Sequence, residues 1–177
     1  MNTNGNTYTV IYSIILVVIV AAVLAFAAMF LKPTQDANVK KDTIGQILTA
    51  ATFSGVEDAA ILDTYKQEIE SAILVDLEGN KVGELNIEEC EVYGNSDLKR
   101  EISAEQKALP VYIFKNGITV VPCYGAGLWG PIWGYVGLEQ DLKTIKAVRL
   151  GHKGETPGLG TKISDSLHSL RHSSARQ

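Results

Sequence analysis

The first 31 residues contain no Asp, Glu, Lys or Arg; every charged side chain of this 177-residue chain lies at or after Lys32. Basic charge is scarce throughout, with 16 Lys and Arg against 20 Asp and Glu, a formal net charge of −4. That balance excludes a nucleic-acid binder, whose footprint is a basic face. There are only two cysteines, Cys90 and Cys123, too few for a disulfide framework. Neither has a second ligand at finger-like spacing, so no zinc site is expected; both are read as free, buried thiols. His is rarer than Trp, Cys and Met together, with three in all. Two of them, His168 and His172, stand at i, i+4 but find no third metal ligand. With 46% hydrophobic and 20% charged residues, wholesale disorder is excluded. No internal repeat is visible.

What the leader does contain is an apolar run, Val10 to Leu31, interrupted only by Tyr12 and Ser13. As a helix of about 22 residues at 1.5 Å each it reaches roughly 33 Å, enough for a hydrocarbon core of about 30 Å. A cleaved signal peptide is the rival reading, since Ala25-Phe26-Ala27 offers a cleavage-like site. The absence of any Lys or Arg before the run, and its length, count against that. Residues 1–9 are a short tail, 10–31 a retained single-pass anchor in contact with the lipid bilayer, and Pro33 its expected stop. Lys32, Lys40 and Lys41 follow the anchor and nothing basic precedes it. Charge counting alone therefore puts the rest of the chain in the cytoplasm.

Residues 32–71 read as a helical membrane-proximal region. Val39, Ile44, Ile47 and Leu48 recur near helical spacing over Thr34 to Ala51, with Asp36 and Asp42 facing solvent. A second helical stretch is expected over Val56 to Ser71, with Ala59, Leu62, Tyr65 and Ile69 on one face. Residues 72–160 read as sheet. Ala72 to Asp76 is extended and Glu78-Gly79-Asn80-Lys81 is a turn. Val111 to Phe114 and Ile118 to Val121 flank Asn116-Gly117, the strongest short hairpin signal. Ile132 to Leu138 and Thr144 to Leu150 are two further strands. The fold class is α+β, with a mainly antiparallel sheet behind a membrane-proximal helix.

Gly125-Ala126-Gly127-Leu128-Trp129-Gly130 matches G-x-G-x-x-G literally. A dinucleotide site needs those glycines to open a helix, yet Pro131 and a strand-like aromatic run follow. A nicotinamide site is therefore rejected. The five glycines and two Trp of Gly125 to Gly137 instead suit either an aromatic-filled turn or a place where a flat apolar ligand approaches the backbone. Downstream, Gly151-His152-Lys153-Gly154-Glu155-Thr156-Pro157-Gly158-Leu159-Gly160 is a glycine-rich loop, either solvated or turning backbone N–H groups toward an anion.

An apolar N-terminal anchor, then Gly-Leu-Trp-Gly at 127–130, then Glu-Thr-Pro-Gly-Leu-Gly at 155–160, resembles the C subunit of the Na⁺-translocating NADH:quinone oxidoreductase. It is similar, less closely, to the flavoprotein subunit of the Rnf complex. The resemblance covers about Asn6 to Gly160. It implies an FMN-binding domain, an electron-transfer role in a sodium-pumping quinone reductase of the inner membrane, and contacts with the other subunits of that complex. It also places the soluble domain on the outer, periplasmic face, against the charge count. The cofactor-contacting positions it implies are Leu128, Trp129, Glu155, Thr156, Gly158 and Leu159. Trp129 would wall the flavin ring, Glu155 and Thr156 would hydrogen-bond near it, and Gly158 and Leu159 would allow close approach.

In that family the flavin hangs on the Thr of a Ser-Gly-Ala-Thr motif, and these 177 residues contain none. No covalent FMN and negligible non-covalent FMN are therefore expected on this chain, with a soluble portion prone to proteolysis or aggregation. Residues 161–177 hold five of the ten Ser, two of the three His and two of the four Arg. Such a shift reads either as a disordered polar tail or as codons read out of frame after a deletion. The alternative to the flavoprotein is a truncated, flavin-free membrane protein with at most an assembly role.

Overall fold

The computed structural model describes residues 6–104 and 107–154. The chain divides into two units, Met1–Val39 and Lys40–Gln177.

The first unit is helical. It holds most of the long helix α1, Asn6–Ala50, whose apolar residues from Val10 to Leu31 are exposed. Tyr8–Ala50 is long and apolar enough to cross a bilayer, with none of its most apolar window buried by protein. Pro33 does not stop the helix as expected but lies inside it. Its missing N–H frees only one carbonyl, that of Met29. Every later residue of α1 carries its own N–H, so the ladder closes again beyond the proline.

In the second unit the last turns of α1 are held by burial. Ile44, Ile47, Leu48, Ala50 and Ala51 are all buried, whereas Val39, expected on the same face, is exposed. Helix α2 covers Ile61–Glu68 only. The expected stretch to Ser71 is cut short because Ile69 already begins strand β1, Ile69–Val75. Ile69 fits both periods, and its pairing with Phe114 on β3 decides the contest. Leu62 accordingly points outward while Ile61 and Tyr65 are buried. Strand β2, Lys81–Glu84, follows a turn in which the Asp76 carboxylate accepts the N–H groups of Glu78 (2.9 Å) and Asn80 (2.8 Å). Helix α3, Asn95–Ser103, escaped the sequence reading; only Leu98 of it is buried, and Asp97 caps it by accepting the Gly94 N–H at 3.2 Å.

Strands β3 (Leu109–Phe114), β4 (Thr119–Ala126), β5 (Pro131–Leu138) and β6 (Ile145–His152) complete a sheet of order β2-β1-β3-β4-β5-β6. Every neighbouring pair is antiparallel. The Asn116-Gly117 hairpin forms as expected, with Gly117 at φ +81°. Its Asn116 amide donates to the Ala51 carbonyl at 2.9 Å, fastening the end of α1 to the sheet.

The core lies on one face of the sheet, where Tyr65, Tyr112, Phe114, Val120 and Tyr135 are fully buried under α1 and α2. Burial pushes the phenols of Tyr65, Tyr112 and Tyr135 above their ordinary range. Two of them stitch the loop before α3 to the sheet: Tyr135 donates to the Tyr93 carbonyl at 2.8 Å, and Tyr112 accepts the Tyr93 N–H at 3.0 Å. Both cysteines are free, but only Cys90 is buried; Cys123 is exposed, correcting the expectation of two buried thiols. Cys90 belongs to the core, whereas Cys123 pairs with Gly134 on a row that points to the other face. That separation keeps the two sulfurs apart.

Candidate functional site

Antiparallel pairing fixes which loops share an end of a sheet. The register Ile132↔His152 and Trp133↔Gly151 brings the start of β5 against the finish of β6. The β4–β5 connection, Gly127-Leu128-Trp129-Gly130, thus meets the residues leading into Glu155. Lys153 and Gly154 thus come back to that turn at one end of the sheet.

The connection is a tight turn beyond the Ala126↔Pro131 pair, closed by the Gly127 N–H donating to the Gly130 carbonyl at 2.8 Å. Its tip is apolar and uncovered: Leu128 is 83% and Trp129 69% exposed. Past β6, the Lys153 N–H donates to the Pro131 carbonyl at 3.3 Å, which ties the outgoing chain to the turn. A methyl group placed on Gly154 would stand 3.4 Å from the Trp129 carbonyl oxygen. One placed on Gly130 would stand 3.7 Å from Lys153 Cβ and 3.8 Å from Gly154 N. A methyl at either position would make ordinary van der Waals contact, and with glycine at both no side chain stands between the two backbones.

The two Trp part company. Trp133 packs against the core, and its indole occupies the space over Gly151, where a methyl would meet ring atoms at 2.8–3.0 Å. Trp129 is not part of that core. Of the expected site residues, Leu128 and Trp129 are placed side by side at the tip; Glu155, Thr156, Gly158 and Leu159 lie outside the described residues. Gly151, Lys153 and Gly154, which the sequence put in the glycine-rich loop but not among the cofactor contacts, shape the approach. The signal was present in the two expected strands, Ile132 to Leu138 and Thr144 to Leu150, had they been paired. The rejection of a nicotinamide site holds on geometry, since the glycines close a hairpin and enter a strand.

An exposed large indole beside Leu128 and two side-chain-free positions fits a flat, partly apolar group such as a flavin ring. A second, open cleft lies at the opposite end of the sheet, around Asn116, Gly117, Glu139 and Lys146. Several of its polar groups are already engaged. Lys146 pairs with Glu139 at 3.0 Å, and the nearby Asp141 carboxylate accepts from Lys143 N, Thr144 N and Thr144 Oγ1, which holds its pKa below the usual value.

The FMN-binding domain family matches residues 127–176, starting at the Gly127 turn and running through the stretch whose composition set it apart as a tail. The chain is 30% identical to the C subunit of the Na(+)-translocating NADH-quinone reductase of Haemophilus ducreyi, over 91% of this chain and 67% of that protein. It is 27% identical to the corresponding protein of Neisseria meningitidis serogroup A, over 90% of this chain and 67% of that protein. Among solved structures, the reductase's C subunit from Parabacteroides distasonis superposes with a TM-score of 0.63 at 31% identity, covering 76% of this chain and 64% of that one. NqrC of Shewanella oneidensis superposes with a TM-score of 0.58 at 26% identity, covering 73% and 66%. The chain thus spans about two thirds of the length of these relatives.

Proposed function

The chain belongs to the family formed by the C subunits of Na⁺-translocating NADH-quinone reductases, and on that premise we propose that it serves as an FMN-carrying electron-transfer subunit of such a membrane complex. The observation that carries this is the meeting of the Gly127–Gly130 turn with Gly154 at one end of the sheet, inside the region matched by the FMN-binding family. Bound there, FMN supplies the redox chemistry, taking up and releasing electrons. The protein's part is to bind and orient. Trp129 and Leu128 offer the apolar wall, and Gly130 and Gly154 keep the floor low. Glu155 and Thr156, next in the chain, supply hydrogen-bonding groups, with Gly158 and Leu159 allowing close approach. The flavin-free alternative is disfavoured, because the FMN-binding match begins at that turn.

The same reading makes α1 a single-pass anchor in the inner membrane, with the chain from Pro33 onward on the periplasmic side and the other subunits of the complex as partners. A periplasm-only reporter fused after Gly160 is expected to be active; activity of a cytoplasm-only reporter there would reverse the placement. These 177 residues hold no Ser-Gly-Ala-Thr, so a polypeptide of this sequence is expected to carry FMN without a covalent bond. Its denatured gel band should lack flavin fluorescence, while the native protein in detergent should retain FMN through a desalting column. A fluorescent denatured band would refute the non-covalent reading, and a flavin-free native protein would refute the site.

A further inference from the structure

Charge is divided unevenly across the sheet. Residues 54–101, which include α2, β1, β2 and most of α3, hold thirteen Asp and Glu against four Lys and Arg. Residues 107–154, which include β3 to β6, hold two against six. In the order β2-β1-β3-β4-β5-β6, the acidic strands lie toward one edge and the basic ones toward the other. The two acids of the basic half, Glu139 and Asp141, stand between β5 and β6, at the opposite end of those strands from the Gly127–Gly130 turn. Glu139 pairs there with Lys146 at 3.0 Å. At the turn itself the cation is Lys153, which is exposed, and no carboxylate among the described residues pairs with its ammonium. Its backbone is fixed by the 3.3 Å bond to the Pro131 carbonyl, and its Cβ stands 3.7 Å from the methyl position of Gly130. A flexible four-carbon stem thus starts from a fixed point at the rim of the turn that exposes Leu128 and Trp129.

We propose that Lys153 binds the phosphate of FMN and so makes the site prefer FMN to riboflavin, the same flavin without phosphate. This rests on the Gly127–Gly130 turn being the flavin site. The oxidised flavin ring and the ribityl hydroxyls are uncharged at neutral pH, so the phosphate is the part of the ligand that a cation can select. A flavin held without a covalent bond keeps a phosphate monoester, with a charge of about −1.5 to −2, whereas esterification to a threonine would leave only one negative charge. The free phosphate therefore needs more positive charge from the protein than a tethered one. The chain as a whole offers the reverse, a net charge of −4. In 0.15 M salt, however, exposed charges are screened beyond about 8 Å, so the cation beside the turn outweighs the distant acidic half. Lysine suits the task, being a compact charge that can follow a phosphate without a fixed approach geometry. Leu128 and Trp129 then take the apolar ring, and Lys153 takes the charged end.

Equilibrium dialysis of the full chain in detergent, freed of bound flavin, against FMN and against riboflavin tests this. The unaltered chain should bind FMN about tenfold more tightly than riboflavin at low salt, and Lys153→Gln should bring the two within about twofold by weakening FMN alone. Lys153→Arg should keep the preference. Lys143→Gln removes the same charge beyond the far end of β6, a strand of 8 residues and so about 26 Å long, and should also keep it. Raising the salt should weaken FMN binding to the unaltered chain and leave Lys153→Gln nearly unchanged. If both flavins bind the unaltered chain equally, the flavin site stands and the role of Lys153 is overturned. The role is equally overturned if Lys153→Gln keeps the preference for FMN, if it weakens both flavins alike, or if Lys143→Gln costs as much. If neither flavin binds, the flavin site fails, and the role of Lys153 with it.

Discussion

Substituting Gly137 with Ala tests how closely the sheet is laid against the end of α1. A methyl at this position would stand 2.0 Å from the Ala50 carbonyl oxygen, 3.0 Å from the Ala50 carbonyl carbon and 3.3 Å from Ile118 Cγ2. Carbon and carbonyl oxygen ordinarily keep about 3.3 Å or more apart, so strand and helix must separate by roughly 1.3 Å. The obstacle is backbone and cannot turn aside. The displacement also pulls on the Asn116–Ala51 bond and on the buried Ile47 and Leu48. Overpacking of this kind costs about 3 kcal/mol, the upper end of its usual range, or a drop in Tm on the order of 10 °C for a unit of this size. Gly125→Ala is the control from the same glycine-rich run, because nothing lies within 4 Å of its missing methyl; its cost should stay within about 0.5 kcal/mol. Thermal melts of the full chain in detergent, followed by circular dichroism, separate the two. A Gly137→Ala protein melting within about 1 °C of the parent, or a Gly125→Ala protein equally damaged, would refute the reasoning.

Three further outcomes follow from the same structure. The Tyr65 hydroxyl is buried without a hydrogen-bond partner among the described residues, so Tyr65→Phe should leave Tm unchanged or raise it, by up to about 1 kcal/mol. Tyr135→Phe, which loses the 2.8 Å bond to the Tyr93 carbonyl, should instead cost about 1–2 kcal/mol; equal melting of the two variants would contradict both assignments. Asp76 and Asp141 are held below their ordinary value of 3.8, Asp76 mainly by hydrogen bonds from Asn80 and Asp141 mainly by those from Thr144. Their contribution to stability is therefore present above that value and is lost as pH falls through the lowered one. Asp141→Asn should lower Tm at pH 7 and match the parent at the acid end, and a gap that widens on acidification would show the sign to be wrong.

How much of this was legible in the sequence varied with the range of the forces involved. The apolar run Val10 to Leu31 and the Asn116-Gly117 turn are local, and each declared itself. Strands β5 and β6 were placed within a residue or two, because β-branched residues mark both and aromatic residues mark β5. Boundaries set by tertiary pairing were not legible. Ile69 fits a helix and a strand alike until Phe114 lies beside it, and Pro33 reads as a stop although the helix resumes beyond it. Helix α3 has one buried side chain and no apolar stripe to announce it. At the site, the glycines showed that backbone approach was possible, but not by what. Only the register revealed that Gly154 lies on the Trp129 carbonyl and that Trp133 spends its indole on Gly151. Which thiol was buried depended likewise on which face of β4 Cys123 takes.

The proposed flavin site is tested most directly at Trp129. The chain has two Trp, so Trp133→Phe leaves the Trp129 indole as the only emitter. Titrating FMN into this variant in detergent should quench its fluorescence saturably, and Leu128→Asp should weaken the titration by about tenfold, the equivalent of about 1.4 kcal/mol. Emission that stays unchanged as FMN is added, or falls only in linear proportion to it, would contradict the placement of the site at the Gly127–Gly130 turn.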